Sequence, residues 1–389
     1  MTIKGKAYIA GIYEHPTRKA DDKSLAQLHA EVARGALEDA GLTKADVDGY
    51  FCAGDAPGLG GLSMAEYMGL KVRHMDTTET GGSSYVIHVA HAAEAIAAGK
   101  CEVALITLAG RPRAEGMATG TAPRSQGAAT PDVPFELPFG PTVVNQYAMA
   151  AMRHMYQFGT TSAQLAWIKV AASHHAQHNP HAMLREVVTV DDVVSSPVIA
   201  DPLHRLDCCV ISDGGGAIVV TRPEVAKSLG RPRVRVLGAG EAAKHQMGGK
   251  VDLTYTGAVW SGPAAFAEAG VKPADIKYVS IYDSFTITVL ITLEDLGFCE
   301  KGQGGKFVSD GNLISGAGTL PFNTDGGGLC NNHPGNRGGL TKVVEAVRQL
   351  RGEAHPTVQV KNCNVALAHG TGGSLATRHG SATLILERE

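Results

Sequence analysis

The chain has 389 residues, of which 44% are hydrophobic and 19% charged, and it sets 35 Lys+Arg against 38 Asp+Glu for a formal charge of −3. At about 150 residues per domain this length predicts two or three domains with a substantial core. The balanced charge excludes the basic footprint of a nucleic-acid binder and a polybasic membrane patch. Aromatics make up only 5% while glycine reaches 48 residues, a density that suits close backbone packing around a site and not a disordered or fibrous protein. The seven cysteines, Cys52, Cys101, Cys208, Cys209, Cys299, Cys330 and Cys363, are scattered without CxxC spacing, which argues against a disulfide framework and a structural zinc site. No apolar run approaches the length of a membrane span and no leader is recognisable, so the expectation is a soluble, cytoplasmic protein.

In chain order, Ala7–Tyr13 reads as a strand. Leu25–Ala40 has helical periodicity and stops at Gly41, a helix C-terminal signal. Val47–Cys52 is a short strand candidate, and Ser83–Ala98, before Gly99, is a second helix. Cys101–Leu108 is an apolar run without alternation, as expected of a strand buried on both faces. Residues 111–200 gain Pro, Gly and Met and read as an inserted loop or cap region, followed by strands at Gly214–Arg222 and Pro232–Leu237. Ala36–Asp46 (ALEDAGLTKAD) and Ala265–Asp275 (AFAEAGVKPAD) repeat at a constant offset of 229 residues, each a helix, a glycine stop, a turn and a strand. Chance likeness of two such segments is one explanation. A duplicated α/β half is the other, and it predicts parallel strands with right-handed crossovers and ligands at strand C-terminal ends.

Four segments carry residues suited to chemistry. Glu79-Thr-Gly-Gly-Ser-Ser84 opens a helix and exposes backbone N–H groups to an anion or oxyanion, or else caps that helix with Ser83 or Ser84. Tyr278–Phe285 (YVSIYDSF) runs from strand to helix and puts Tyr282 at a strand end, as an acid/base or as a packing residue. Asp325–Gly339 is a glycine-rich loop around His333-Pro334, whose ordering cost points to a functional geometry. It fits neither a P-loop nor a dinucleotide fingerprint. Val365–Gly373 reads as a strand, then a glycine turn with His369 at the boundary. His174, His175, His178 and His181 read as surface, without the third ligand that a metal site needs.

Together these segments resemble the thiolase superfamily, in particular sterol-carrier-protein-type thiolases and lipid-transfer-protein-type CoA-thioester aldolases. The likeness runs from Tyr8 to the final strand Ser381–Leu386. It includes Asp207-Cys-Cys-Val-Ile-Ser-Asp-Gly-Gly-Gly216 and Leu296-Gly-Phe-Cys-Glu-Lys-Gly-Gln-Gly-Gly305. The resemblance implies an α/β fold of two βαβαβαββ halves in a five-layered α/β/α/β/α core. The N-terminal half is then 1–110 plus 201–226, the insertion 111–200 and the C-terminal half 227–389.

The site departs from the thiolase pattern. Gly82 stands where the nucleophilic Cys belongs, Tyr282-Asp-Ser-Phe285 replaces the Asn-Glu-Ala-Phe or His-Asp-Cys-Phe box, Asn332-His333-Pro334-Gly335 keeps the histidine, and His369 replaces the terminal Cys. A glycine cannot form an acyl-enzyme. The leading expectation is therefore a CoA-thioester aldol lyase that cleaves a 3-hydroxyacyl-CoA to a carbonyl compound and a shorter acyl-CoA. In it Tyr282, given a lowered pKa, and His369 share the acid/base work, and His333 stabilises the enolate. Gly82, Ser83, Asn332, Gly372 and Gly373 are the expected substrate-binding positions. The aldolases carry a second Tyr near the His-Pro loop, where this chain has Asn331-Asn332. The alternatives are an acyl-CoA C-acyltransferase that recruits Ser83 or Cys330, and a non-catalytic acyl-CoA-binding subunit of a heteromeric complex. The resemblance further implies a homodimer, a small OB-fold and zinc-ribbon companion, no metal, and no cofactor beyond the CoA of the substrate.

Overall fold

The computed structural model describes residues 2–118, 133–140, 142–245, 250–336, 338–375 and 378–389; part of the insertion, and Arg337 of the glycine-rich loop, fall outside them. Eleven strands are formed there: β1 (Tyr8–Glu14), β2 (Gly49–Phe51), β3 (His74–Asp76), β4 (Val103–Gly110), β5 (Val198–Ala200), β6 (Leu203–His204), β7 (Gly214–Thr221), β8 (Val234–Lys244), β9 (Tyr278–Ile281), β10 (Val365–Gly373) and β11 (His379–Arg388). Nine of them join in the order β3-β2-β4-β7-β1-β8-β11-β10-β9, while β5 and β6 pair separately. β2 lies parallel to β3 and β4, β9 parallel to β10, and the remaining pairs are antiparallel.

Two short registers, Tyr8↔Arg235 and Ile9↔Val234, join the sheet's two leaves at β1 and β8. Side chains alternate between the two faces of each leaf, and both faces are buried. Ala104, Ile106, Ile218 and Val220 of one leaf and Val234, Val236, Ala366 and Leu384 of the other face one shared core. Two helices, α1 (Leu25–Ala40) and α2 (Gly61–Met68), cover the outside of the first leaf with Leu105 and Val219. A third, α3 (Ser84–Ala97), fills the shared core together with a C-terminal helix, Gly339–Arg351. Outside the second leaf lie α4 (Val143–Phe158), α5 (Ser162–Ala176), α6 (Ala258–Ala269) and α7 (Thr286–Asp295), against Leu367 and Ile385. The C-terminal helix, Gly339–Arg351, is α8. The order of layers is helices, strands, helices, strands, helices, as the resemblance implies.

The 229-residue repeat is structural and not chance. α1 and α6 both end on left-handed glycines, Gly41 at φ 71° and Gly270 at φ 72°. Asp46 accepts from Thr43 N at 2.8 Å, and Asp275 from Lys272 N at 2.8 Å. Asp39 of α1 accepts from Ile12 N at 2.9 Å, and Glu268 of α6 from Ala239 N at 3.1 Å. Both helices press onto a strand glycine. An added Cβ on Gly11 would lie 2.1 Å from the Ala36 carbonyl oxygen, and one on Gly238 would lie 2.5 Å from that of Ala265.

Two expectations need correction. β10 does not stop at His369: it runs on through Gly373, because residues without side chains let the Thr80–Ser83 turn press onto the strand. His175 is not surface; it is 1% exposed, and its Nε2 accepts from Ser315 N at 2.9 Å.

Candidate active site

β9 ends at Ile281, and the chain turns through Tyr282-Asp283 into α7, which leaves both side chains at the strand's C-terminal end. Asp283 is buried and anchors the glycine-rich loop. Its oxygens accept from Gly328 N at 2.8 Å, Leu329 N at 3.1 Å and the Lys342 ammonium at 2.7 Å. Burial works against the Lys342 charge, but Asp283 and Asp325 overcome it and raise its pKa. The loop so held carries His333, whose Nε2 lies 2.8 Å from the Tyr282 hydroxyl with the rings edge-on at 70°.

Both partners are neutral. Burial lowers His333 to about 4; Asp283 pulls it up and Lys342 pushes it down. Burial also drives Tyr282 well above 10, helped by the nearby Tyr147 and Cys209, with the Gly338 backbone opposing. The lowered tyrosine pKa expected for a free phenolate base is therefore reversed, because the site is dry. What remains is a phenol and a neutral imidazole sharing one proton, a pair able to relay a proton without a separated charge at rest. His333 Nδ1 has no hydrogen-bond partner among the described residues.

The other expected positions divide into two groups. Gly82 touches the pair: a Cβ there would lie 2.4 Å from Tyr282 Cε2, 2.7 Å from Cζ and 2.4 Å from the Thr371 carbonyl oxygen. Gly372 and Gly373 form the floor beneath that turn, where a Cβ on Gly372 would sit 1.6 Å from the Thr80 carbonyl oxygen. Ser83 is buried and donates to the Thr80 carbonyl at 3.0 Å, so its hydroxyl is committed within its own turn. Ser84, not Ser83, closes the turn by accepting from Thr80 N at 2.8 Å. Asn332 spends its amide inside the protein, on Glu14 at 3.1 Å and Ser212 at 2.8 Å.

His369 is not brought to the pair. Its side chain lies on the α6 face of the sheet, with Nδ1 2.9 Å from Thr383 Oγ1, which in turn is 2.9 Å from Ser261 of α6. Tyr282 meets only its backbone, through a bond from Tyr282 N to the His369 carbonyl at 2.9 Å. Tyr147 was missed by the sequence reasoning. It comes from α4, within residues 111–200, is buried and packs its ring on that of Phe285 at a centroid distance of 4.4 Å and a tilt of 34°. No local motif surrounds it, and only its place on the apolar face of α4 with Val144, Ala148 and Ala151 sets it apart from the exposed Tyr156.

Residues 240–388 match the family model described as Thiolase C-terminal domain-like. An acetyl-CoA acetyltransferase of Methanothermobacter thermautotrophicus is 33% identical over 367 residues, covering 92% of this chain and 93% of the relative. The chain belongs to the thiolase superfamily. Within it, a steroid side-chain-cleaving aldolase of Thermomonospora curvata is 35% identical over 362 residues, covering 90% of this chain and 91% of that protein. The solved structure of an "Ltp2-ChsH2(DUF35) aldolase" superposes with a TM-score of 0.89 at 32% identity, covering 99% of this chain and 98% of that one. Against the thiolase pattern the geometry gives a steric reason for the missing nucleophile: the Tyr282 ring stands where a side chain at position 82 would go. Burial raises all seven thiols, Cys208 to about 12 and Cys330 likewise upward, so none offers a thiolate near neutrality. Among the described residues no group of three His, Cys, Asp or Glu side chains could hold a metal, and no helix is long and apolar enough to cross a membrane.

Proposed function

We propose that this member of the thiolase superfamily is a carbon–carbon lyase acting on CoA thioesters, cleaving a 3-hydroxyacyl-CoA by a retro-aldol reaction. The observation that carries the reading is the Tyr282–His333 hydrogen bond beside a glycine in the nucleophile position. As the Tyr282 oxygen takes the β-hydroxyl proton, its own proton passes to His333 Nε2. The Cα–Cβ bond breaks, the aldehyde or ketone leaves, and the electron pair is held as the thioester enolate. The proton on His333 returns through the phenol to Cα, giving the shorter acyl-CoA. CoA enters only as part of the substrate, and no step in this sequence uses a metal.

A homodimer in the cytoplasm, with a small OB-fold and zinc-ribbon companion, completes the reading. The companion is supported by the ChsH2(DUF35) component of the similar aldolase structure. It is also supported by an outward face of α4 that exposes Met149, Met152 and Tyr156 beside Val198, apolar surface of the kind partners cover. The acyltransferase reading draws on the acetyltransferase relative and lacks a nucleophile here.

The test incubates the protein, with and without a co-expressed companion, with acyl-CoAs and 3-hydroxyacyl-CoAs of several chain types. The expected outcome is a released carbonyl product, no covalent acyl adduct by intact mass, and a loss of about 10²–10⁴-fold in kcat for Tyr282→Phe. A stable adduct on Ser83 or Cys330 would restore acyl transfer and end the lyase reading.

A further inference from the structure

Asn331-Asn332-His333 belongs to no long helix or strand, yet a relay through His333 Nε2 needs its ring held to a fraction of an ångström. The parts that hold it come from the other end of the chain. Glu14 Oε1 accepts from Asn331 Nδ2 at 3.0 Å and from Asn332 Nδ2 at 3.1 Å. Arg18 donates from Nε to the Asn331 carbonyl at 3.0 Å, and from Nη2 to Asn331 Oδ1 at 2.6 Å and Glu14 Oε1 at 2.8 Å. Its Nη1 donates to the carbonyls of His15 at 2.7 Å and Thr17 at 2.8 Å, which pin the arginine to its own segment. All five guanidinium N–H groups are thereby used. The last link is Ser212, whose hydroxyl donates to Asn332 Oδ1 and accepts from His333 N, each at 2.8 Å. The side chains of Glu14 and Arg18 are each 9% exposed, so the pair is set in protein and not a solvated surface bridge.

We infer that Glu14 and Arg18 are positioning residues for His333: an N-terminal clamp that sets the catalytic loop of the C-terminal half through Asn331, Asn332 and Ser212. The inference rests on the lyase reading for its kinetic readout and on the hydrogen-bond geometry for the rest. A guanidinium fork can hold three separate directions at once, whereas an ammonium of the same charge cannot. Arg18→Lys keeps the charge and loses the fork, so it separates geometry from electrostatics. Glu14→Gln keeps an oxygen acceptor for the Asn amides but no longer pairs with the arginine charge.

The experiment measures kcat and KM for Arg18→Lys and Glu14→Gln, together with the His333 ring nitrogen resonances in protein carrying ¹⁵N-histidine, assigned with His333→Asn. Arg18→Lys is expected to lose at least tenfold in kcat with KM within about twofold, and Glu14→Gln to fall between it and the parent. The Nε2 resonance should shift as its bond to Tyr282 loosens. A folded Arg18→Lys protein with parental kcat overturns the inference, as does a rise in KM that accounts for the whole effect. Should Arg18→Lys not fold, Ser212→Ala removes a single hydroxyl from the same path, and an unchanged kcat there overturns it equally. If the parent protein cleaves no 3-hydroxyacyl-CoA, the lyase reading fails by itself. The Nε2 resonance then decides the clamp alone, and an unmoved signal in Arg18→Lys sinks it.

Discussion

At the scale of single residues the site turns on one exclusion. The space beside the Gly82 backbone that a thiolase cysteine would need is filled by the ring of Tyr282 and by the Thr371 carbonyl. Gly82→Ala must therefore push the phenol off its 2.8 Å bond to His333 or shift the turn. Overpacking of this kind costs about 1–3 kcal/mol, and misplacing a reacting group by an ångström costs about 10²-fold in rate. Gly82→Ala is expected to fold, to melt a few degrees lower, and to lose at least tenfold in kcat, read by steady-state kinetics beside thermal unfolding. A parental kcat would mean that Tyr282 does not stand where the relay requires it. The resemblance of their motifs to the thiolase boxes made Tyr282 and His333 legible as a site. The direction of the tyrosine pKa was not, because burial, its largest cause, is a property of the packed molecule.

The duplication decides matters at the scale of elements. Each repeat stops its helix with a left-handed glycine, and no atom would meet an added Cβ on Gly41 within 4 Å, so the cost of Gly41→Ala is backbone strain alone. That cost is about 1 kcal/mol. Gly270→Ala meets only the flexible Lys4 ammonium at 3.1 Å and is expected to cost about the same. Matched losses in chemical unfolding free energy for the two variants would confirm equivalent roles. No loss in either would mean that the stops contribute nothing to stability. The repeat could be read because a helix stop and its following turn are local events. His369 shows the limit of that reading: its box aligns with a catalytic one, but one residue along a strand reverses the face. The chain presents the side chain to α6 and only the backbone to the site.

For the whole molecule, the buried histidines set the response to acid. Burial is the largest cause holding His88, His175, His333 and His379 at about 4 and His369 at about 3. Between pH 6.5 and 4 the unfolded chain binds protons at these five sites that the folded chain refuses. Stability therefore falls as pH falls through that window and is intact above it, by up to about 3 kcal/mol per histidine at the acid end. Other groups act in the opposite sense, among them the buried Asp207, Asp295 and Asp325, whose pKa values burial raises. Glu345, raised by burial to about 7, favours the folded state as it takes up its proton. His91, raised to about 10 by Asp76 and Glu241, stabilises below 6.5 and loses that contribution as pH rises through 10. The histidines dominate the acid range, so the melting temperature should drop steeply between pH 6.5 and 4, and should decline more gently above 7 as His91 gives up its proton. A flat profile down to pH 4.5 would show that these imidazoles are hydrated.

The sequence by itself determined the alternating strands and helices and the duplicated half, which are written in local periodicity and glycine placement and survive without knowledge of distant neighbours. The layered core, the missing nucleophile and the placing of Tyr282 and His333 in one site followed from the family resemblance that its motifs carry. Tertiary structure alone decided which of the expected residues meet. It turned His369 away, spent Ser83 and Asn332 on internal bonds, and brought Tyr147 of α4 to the neighbourhood of Tyr282. It also set Glu14 and Arg18 against a loop more than three hundred residues further along the chain. The physical reason is that hydrogen bonds and burial depend on separations in space, and a separation of that length in the chain carries no local trace of the contact it makes.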